Sequence, residues 1–285
     1  MTIVYIAKSP HSVMGRMVQT GIAKVVIIDS GVGALSILSE IDKLPLAIQI
    51  DLILDNGGFP YGEKEDKWLV QRSLSLLESY CTKNRVDAIV VACNTLSTIC
   101  LPALREKMST PIVGVVPAIK TAAQLSRSKH IALLATPATV GREYSNKLIQ
   151  EFASDCVVLR HGSVNLVKAA EQKIWTQKSD LKVIAEETKF LDKDKLVDVV
   201  VLGCTHFPFL KQEFEQVQAQ RKISWIDSSE AIARRIGVVL SEASYGPGKQ
   251  EQLKRRLYFT QSPEDAGRYK ASLAFARIDE IHLLA

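Results

Sequence analysis

The chain has 285 residues, of which 47% are hydrophobic, enough apolar surface to build one large core or two smaller ones. The 36 lysine and arginine residues exceed the 31 aspartate and glutamate residues by only five and are scattered, so nucleic acid is not the expected partner. No segment approaches the roughly 20 apolar residues of a membrane helix, and residues 1–21 lack the apolar stretch of a signal peptide, which predicts a soluble, cytoplasmic protein with no membrane partner.

Short β-branched segments alternate with helical stretches along the chain. The predicted strands are Lys24–Asp29, Ile50–Asp55, Asp87–Val91, Ile112–Val116, His130–Ala135, Cys156–Leu159, Val197–Leu202 and Ile223–Asp227. A helix is predicted over Ala231–Ser241, after the last strand. This alternation is typical of βαβ units around parallel sheets. We therefore predict an α/β fold whose ligand chemistry lies at the carboxyl ends of the strands.

An internal repeat divides the chain. Val86–Thr95 aligns without gaps on Val197–His206, and both copies place a cysteine seven residues after the valine. The repeat predicts two similar parallel-sheet α/β lobes related by pseudo-two-fold symmetry, with the active site in the cleft between them. We assign residues 1–118 plus 227–285 to the first lobe and residues 119–226 to the second, with the boundary near Ala118–Ser128.

The five cysteines are odd in number and contain no C-x-x-C pair, which predicts free thiols and argues against a disulfide framework or a zinc site. A lone cysteine after an apolar strand is usually a small buried hydrophobic residue, and we interpret Cys81, Cys100 and Cys156 in that way. Cys93 and Cys204 differ, because the repeat matches their positions and polar residues follow both. No metal and no cofactor are predicted.

Two matched thiols in a pseudo-symmetric cleft suit the inversion of an amino-acid α-carbon. One group must remove the proton on one face while another returns a proton on the opposite face. A cysteine titrates near ~8.5, and a position before a helix lowers that pKa, which we expect for both Cys93 and Cys204. The pairs Asn94-Thr95 and Thr205-His206 offer hydrogen-bond donors to a substrate carboxylate.

A glycine-rich turn follows the first strand. The turn Asp29-Ser30-Gly31-Val32-Gly33 lacks the Gly-Lys-Ser/Thr of a phosphate loop. We expect it to bind an anionic or zwitterionic substrate, with Asp29 near the ammonium group or the first thiol. On its own, Phe59-Pro60-Tyr61-Gly62 indicates only a turn with an aromatic anchor.

Four segments together resemble the signature blocks of bacterial glutamate racemase, a cofactor-independent family of aspartate and glutamate racemases. They are Asp29-Ser30-Gly31-Val32-Gly33, Pro60-Tyr61-Gly62, Ala92-Cys93-Asn94-Thr95 and Gly203-Cys204-Thr205-His206-Phe207-Pro208, and their order and spacing agree from Lys24 to about Arg235. The resemblance implies a two-lobed α/β isomerase without pyridoxal phosphate or metal. It also implies interconversion of L- and D-glutamate, which supplies D-glutamate for peptidoglycan and the cell wall.

The resemblance also implies roles for individual residues. Cys93 would handle the α-proton of D-glutamate and Cys204 that of L-glutamate, with Asp29 and His206 as helpers beside the respective thiols. The implied substrate contacts are Ser30, Tyr61, Gly62, Asn94, Thr95, Thr205 and, more loosely matched, Thr136. A family glutamate that assists catalysis corresponds best to Glu171, whose alternative interpretation is a solvated helix residue.

The sequence departs from the family at Ala34, where a second glycine is usual, and at Gly57-Gly58, where larger residues are usual. The resemblance favours a subgroup with an N-terminal extension, here residues 1–23, in which some members respond to a peptidoglycan precursor. Such a precursor is therefore a candidate activator, and a homodimer is a further candidate assembly, although no interface is visible in the sequence.

Two other functions remain open at this stage. The first is a racemase of the same family with another acidic substrate, such as aspartate, because the chemistry of two thiols is shared. The second is a weakly active homologue with a regulatory binding role. Retention of both thiols and of Asp29 and His206 argues against the second.

Overall fold

The computed structural model describes residues 21–248, 253–262 and 273–284, which form two parallel β-sheets flanked by helices. The predicted N-terminal extension falls, except for its last three residues, outside these ranges. The strands are β1 (Ala23–Asp29), β2 (Ile48–Leu54), β3 (Ala88–Val91), β4 (Ile112–Gly114), β5 (His130–Ala135), β6 (Val157–Gly162), β7 (Val199–Leu202), β8 (Ser224–Ile226), β9 (Arg256–Phe259) and β10 (Glu280–Leu283).

Helices connect these strands. The α-helices are α1 (Ala34–Ile41), α2 (Asp66–Lys83), α3 (Asn94–Lys107), α4 (Ile119–Leu125), α5 (Pro137–Gly141), α6 (Glu143–Phe152), α7 (Asn165–Thr176), α8 (Leu181–Thr188), α9 (Lys211–Val217) and α10 (Ser229–Glu242). Short 3₁₀ helices span Asn56–Gly58, Tyr61–Glu63, Lys189–Lys193, Phe207–Leu210 and Ala274–Ala276. No helix in the described ranges is long and apolar enough to cross a membrane.

The first sheet has the strand order β10-β9-β2-β1-β3-β4, and the second has the order β6-β5-β7-β8. The central strands β1, β3, β5 and β7 are almost wholly buried because helices cover both faces, which explains their near-continuous apolar sequences. The α/β class with two parallel-sheet lobes is therefore confirmed.

The two sheets repeat one topology. The order β2-β1-β3-β4 in the first lobe corresponds to β6-β5-β7-β8 in the second. The register corresponds as well, since Val25 pairs with Ala88 and Ile131 pairs with Val199. The central strands therefore place Cys93 and Cys204 at matched positions, each two residues beyond its strand.

Several predicted boundaries agree closely with the structure, and the last segment adds to it. The fifth strand, His130–Ala135, has the predicted limits, and α10 extends the predicted helix by a few residues. Strands β9 and β10 are not predicted from the sequence; β9 joins the first sheet beside β2, and β10 pairs with β9, both in parallel register. The chain thus returns to the first lobe after the second, while the domain limits at residues 118 and 227 stay a prediction.

Candidate active site

The carboxyl ends of β1, β3 and β7 bring the predicted residues of both lobes together. Asp29 is the last residue of β1, Cys93 follows β3, and Cys204 follows β7. All three side chains are buried. Because parallel strands end at the same edge of a sheet, each lobe presents its thiol at the edge where its loops lie.

Cys93 is the N-cap residue of α3, as the sequence predicts. Its pKa, however, is raised well above the ordinary thiol value, mainly by burial and next by the charge of Asp29. Backbone N–H groups of Leu96 and Thr95 oppose this rise without overcoming it. The expectation of a lowered pKa for Cys93 is therefore wrong, because desolvation outweighs the lowering effect of the hydrogen bonds at the helix terminus.

Cys204 has a different neighbour. No α-helix starts after it: the chain bends through Thr205 and His206 into the 3₁₀ helix Phe207–Leu210, with Pro208 in its first turn. The expected α-helix N-terminus is therefore missing at this thiol. Instead the Sγ atom lies 3.8 Å from Nδ1 of His206. The second thiol is thus paired with an imidazole.

His206 links Cys204 to Glu171. Its Nε2 atom lies 2.9 Å from Oε1 of Glu171, and both side chains are largely buried. Burial alone would lower the pKa of His206, but the contacts with Cys204 and Glu171 raise it well above its ordinary value. An imidazolium between two acidic groups accounts for this direction. Glu171 is consequently not the solvated helix residue of the alternative interpretation.

Asp29 lies across the cleft from Thr205. Its Oδ2 accepts a hydrogen bond from Thr205 Oγ1 at 2.9 Å, and its Oδ1 accepts one from the Ser30 N–H at 2.6 Å. Burial raises the pKa of Asp29, although His206 and Thr205 both act to lower it. Asp29 is close enough to Cys93 for its charge to raise the pKa of that thiol, in line with the predicted position beside the first thiol.

The glycine-rich turn closes tightly over these groups. A Cβ atom on Gly31 would lie 1.9 Å from Glu171 Oε1, and one on Gly33 would lie 2.4 Å from Thr205 Oγ1 and 2.5 Å from Asp29 Oδ2. Neither glycine has a positive φ angle, so close approach is what requires glycine here. The Val32 N–H donates to Glu171 Oε1 at 2.7 Å. Binding of substrate by this turn stays a prediction.

The remaining predicted contacts form a second group across the cleft. Thr95 Oγ1 lies 3.0 Å from Thr136 Oγ1, and a Cβ atom on Gly62 would lie 3.3 Å from Thr136 Cβ. Tyr61 is 1% exposed and shares an apolar cluster with Cys93. The more loosely matched Thr136 therefore belongs with Tyr61, Gly62 and Thr95 in space.

Asn94, the first residue of α3, carries an unused acceptor. Its Oδ1 is buried without a hydrogen-bond partner, one of two such side-chain atoms in the described part of the chain. Asn94 also lines a cavity of about 10 Å³ with Cys204 and Thr205, a space that fits one water molecule. A buried acceptor of this kind is suited to a ligand donor.

Asp55, which holds Tyr61, is a residue of this region that the sequence does not predict. Asp55 is fully buried; its Oδ2 accepts from Tyr61 OH at 2.8 Å, and Arg72 donates to both carboxylate oxygens. Burial raises the pKa of Asp55, but hydrogen bonds from Arg72, Thr260 and Tyr61 together lower it. The available signal was its position at the end of a strand next to the one that ends in Asp29.

The two departures from the family pattern also lie in this region. Ala34 is buried at the start of α1. A Cβ atom on Gly58 would lie 2.6 Å from Asp55 Oδ2 and 2.9 Å from Tyr61 Cε1, so the small residue lets this loop pack against the tyrosine. Within the described ranges, no group of three or more His, Cys, Asp and Glu side chains forms a metal-binding cluster.

Comparison with known proteins decides the family. A model of the Asp/Glu/Hydantoin racemase family matches residues 46–236. The glutamate racemase of Shewanella sp. (strain MR-7) is 45% identical over 257 residues, covering 90% of this chain and 89% of that protein. The chain belongs to the glutamate racemases of this family. The glutamate racemase of Histophilus somni (strain 129Pt) is 40% identical over 261 residues, covering 92% and 97%.

Solved glutamate racemases share the architecture. The structure of Escherichia coli glutamate racemase in complex with L-glutamate and the activator UDP-MurNAc-ala matches with a TM-score of 0.85 and 36% identity, covering 93% of this chain and 99% of that one. The isoform RacE1 from Bacillus anthracis matches with a TM-score of 0.77 and 25% identity, covering 90% and 96%. The enzyme class predicted from the sequence, an isomerase acting as glutamate racemase, is confirmed.

Proposed function

We propose that this racemase inverts glutamate with two thiols, Cys204 acting on the α-proton of L-glutamate and Cys93 on that of D-glutamate. The observation that carries this mechanism is the matched position of the two buried thiols after β3 and β7 of two lobes with one topology. Each thiol serves as base in one direction and as acid in the other.

The two thiols have unequal surroundings. The raised pKa of Cys93 keeps this thiol protonated at neutral pH, ready to donate. The contacts of His206 with Cys204 and Glu171 raise the pKa of His206, and its ring lies 3.8 Å from the Sγ atom of Cys204, so this thiol faces an imidazole rather than a carboxylate. These surroundings fit removal of the α-proton from L-glutamate by Cys204, followed by proton donation from Cys93 on the opposite face.

The polar groups of the cleft have complementary roles in this proposal. Asn94 Oδ1, which lacks a partner, accepts a hydrogen bond from the substrate. The hydroxyl groups of Thr95, Thr136 and Thr205, together with Ser30, Tyr61 and Gly62, bind the carboxylates. Asp29 acts beside Cys93, and Glu171 orients His206 beside Cys204.

Solvent-deuterium exchange at the α-carbon tests the assignment of the thiols. In D₂O, we expect Cys93→Ala and Cys204→Ala to lose racemisation by at least about a thousandfold, because each variant lacks a proton carrier on one face. Proton NMR of glutamate and a coupled assay on D-glutamate measure exchange and turnover.

Cys100→Ala provides the matched control, because Cys100 is a buried thiol on α3 that faces the apolar core of the same lobe. It should retain turnover within about twofold. If either active-site variant exchanges and racemises as fast as Cys100→Ala, the mechanism of two thiols is refuted.

The wider biological role is part of the same proposal. The product D-glutamate would supply peptidoglycan synthesis in the cytoplasm. The structural relative from Escherichia coli is described with the activator UDP-MurNAc-ala, and we propose that a precursor of this kind also activates this chain. The homodimer suggested by the resemblance stays a prediction.

A further inference from the structure

Helix α7 connects the two lobes at the active site. It begins in the second lobe, where Leu166 and Val167 lie in the apolar core, but near its end Ile174 and Trp175 pack against the core of the first lobe. Glu171 is on the same helix, one turn before Trp175. Residues four positions apart on a helix lie on one face, so the indole ring can reach the carboxylate.

The two oxygen atoms of Glu171 have separate partners. Trp175 Nε1–H donates to Oε2 at 2.5 Å. Oε1 accepts from the Val32 N–H at 2.7 Å and lies 2.9 Å from His206 Nε2. The indole therefore fixes the rotation of the carboxylate, which leaves the other oxygen directed at the imidazole. A carboxylate held in this way orients a catalytic histidine more strictly than one that rotates freely.

We propose that Trp175 is a positioning residue for the Cys204 half of the reaction: its ring anchors α7 on the first lobe, while its N–H orients Glu171 and, through Glu171, His206. Packing of the two lobes is in this way coupled to the imidazole that lies 3.8 Å from the Sγ atom of Cys204. The inference rests on the proposed mechanism of two thiols.

Isotope effects can separate the two halves of the reaction. Because the equilibrium constant fixes the ratio of kcat/KM in the two directions, slower proton transfer at Cys204 lowers both values together. With α-deuterated substrates, however, the L-glutamate isotope effect reports proton removal by Cys204. The D-glutamate effect reports removal by Cys93 and shrinks when the following step at Cys204 becomes slow.

Trp175→Phe removes the N–H donor and retains most of the ring that packs against the first lobe. We expect kcat/KM to fall about tenfold in both directions, the effect of losing one hydrogen bond to a charged group. The deuterium isotope effect on kcat/KM should rise for L-glutamate and fall for D-glutamate. Unchanged isotope effects, or equal changes in both, would overturn the proposal.

Trp225→Phe is the matched control, since Trp225 is buried in the second lobe and stacks on Phe214 at 4.9 Å. It should leave both isotope effects unchanged even where it lowers the melting temperature, and the same asymmetry in this variant would count against a specific role of Trp175. In a Glu171→Ala background, Trp175→Phe should cost little more activity, whereas independent losses would show that Trp175 does not act through Glu171. Activity that survives loss of either thiol would instead refute the proposed mechanism itself.

Discussion

Cys93 and Cys204 are both cysteines at matched positions of the two lobes, but their neighbours are chemically different. Cys93 lies beside the carboxylate of Asp29, and Cys204 beside the imidazole of His206. A negative neighbour favours the neutral thiol, whereas a positive one favours the thiolate. In the proposed mechanism one thiol must act as a base while the other acts as an acid, and the unequal neighbours suit two identical side chains to these different parts.

The protonation of Cys93 can be measured directly. Because burial and Asp29 raise its pKa, the folded enzyme should gain no thiolate from Cys93 until the pH passes the ordinary thiol value of ~8.5. The difference in thiolate ultraviolet absorbance between the parent and Cys93→Ala should therefore appear only on the alkaline side of that value. A difference that is complete at neutral pH would show that Cys93 is the resting base.

The sequence predicted the two thiols better than the residues that support the surrounding site. The repeated spacing exposes Cys93 and Cys204, because both copies carry the same pattern. Trp175 and Asp55 belong to no repeat and no quoted motif. Trp175 contacts Glu171 on its own helix, but the reason for that contact becomes visible only when the chain is folded, because Glu171 meets Val32 across 139 positions. Asp55 likewise accepts a hydrogen bond from Thr260, 205 positions away.

Among the structural elements, the turn after β1 is the most tightly constrained. Gly33→Ala should push Thr205 and Asp29 away, because its Cβ atom would lie 2.4 Å from one and 2.5 Å from the other. We expect kcat/KM to fall about 100-fold with a smaller effect on folding, as displacements of about 1 Å cost that much in an active site. Steady-state kinetics and thermal denaturation measure the two effects.

Gly141→Ala is a suitable control, because a Cβ atom there meets nothing within 4 Å. It should keep kcat/KM within about twofold. Equal losses of kcat/KM in Gly33→Ala and Gly141→Ala would mean that the turn after β1 is not specifically constrained.

The elements that the sequence failed to predict are those with distant partners. Strand β9 has four residues, and its apolar pattern is too short to identify alone. Its pairing partner β2 lies about 200 positions earlier in the chain, with Asp51 opposite Arg256. The sequence also predicted an α-helix directly after Cys204. The chain forms a 3₁₀ helix there instead, which is a local difference.

Across the whole molecule, a few polar contacts join the two lobes. Arg142 in the second lobe binds Asp66 in the first through two hydrogen bonds of 2.5 and 2.7 Å. These bonds hold the pKa of Asp66 below its usual range. Two further polar contacts cross the cleft, one between Thr95 and Thr136 and one between Asp29 and Thr205. The lobes therefore contact each other at residues that we propose to bind the substrate or to act beside a thiol.

Asp66→Asn should weaken the contact between the two lobes without unfolding either lobe. An exposed ion pair contributes up to about 1 kcal/mol, so we expect KM for glutamate to rise up to about fivefold with little change in melting temperature. Added NaCl should raise KM of the parent more than KM of the variant, because salt screens the pair that only the parent has.

Glu143→Gln is the matched control, since the pair of Glu143 and Lys147 lies within one helix, which begins directly after Arg142. Its KM should match that of the parent at low salt. If KM rose as much in Glu143→Gln as in Asp66→Asn, the effect would be due to general surface charge and not to the contact between the lobes.

The late return of the chain to the first sheet has a consequence for synthesis. Strands β1 to β4 and the whole second lobe leave the ribosome before Arg256 does, and until then β2 is an edge strand. During that interval Asp51 lacks Arg256, the partner that binds it in the finished protein, and the backbone groups of β2 on that side are unpaired. Unpaired edges of this kind are where chains associate incorrectly. The nascent protein therefore depends on Arg256–Phe259 to protect the edge of a strand made about 200 positions earlier.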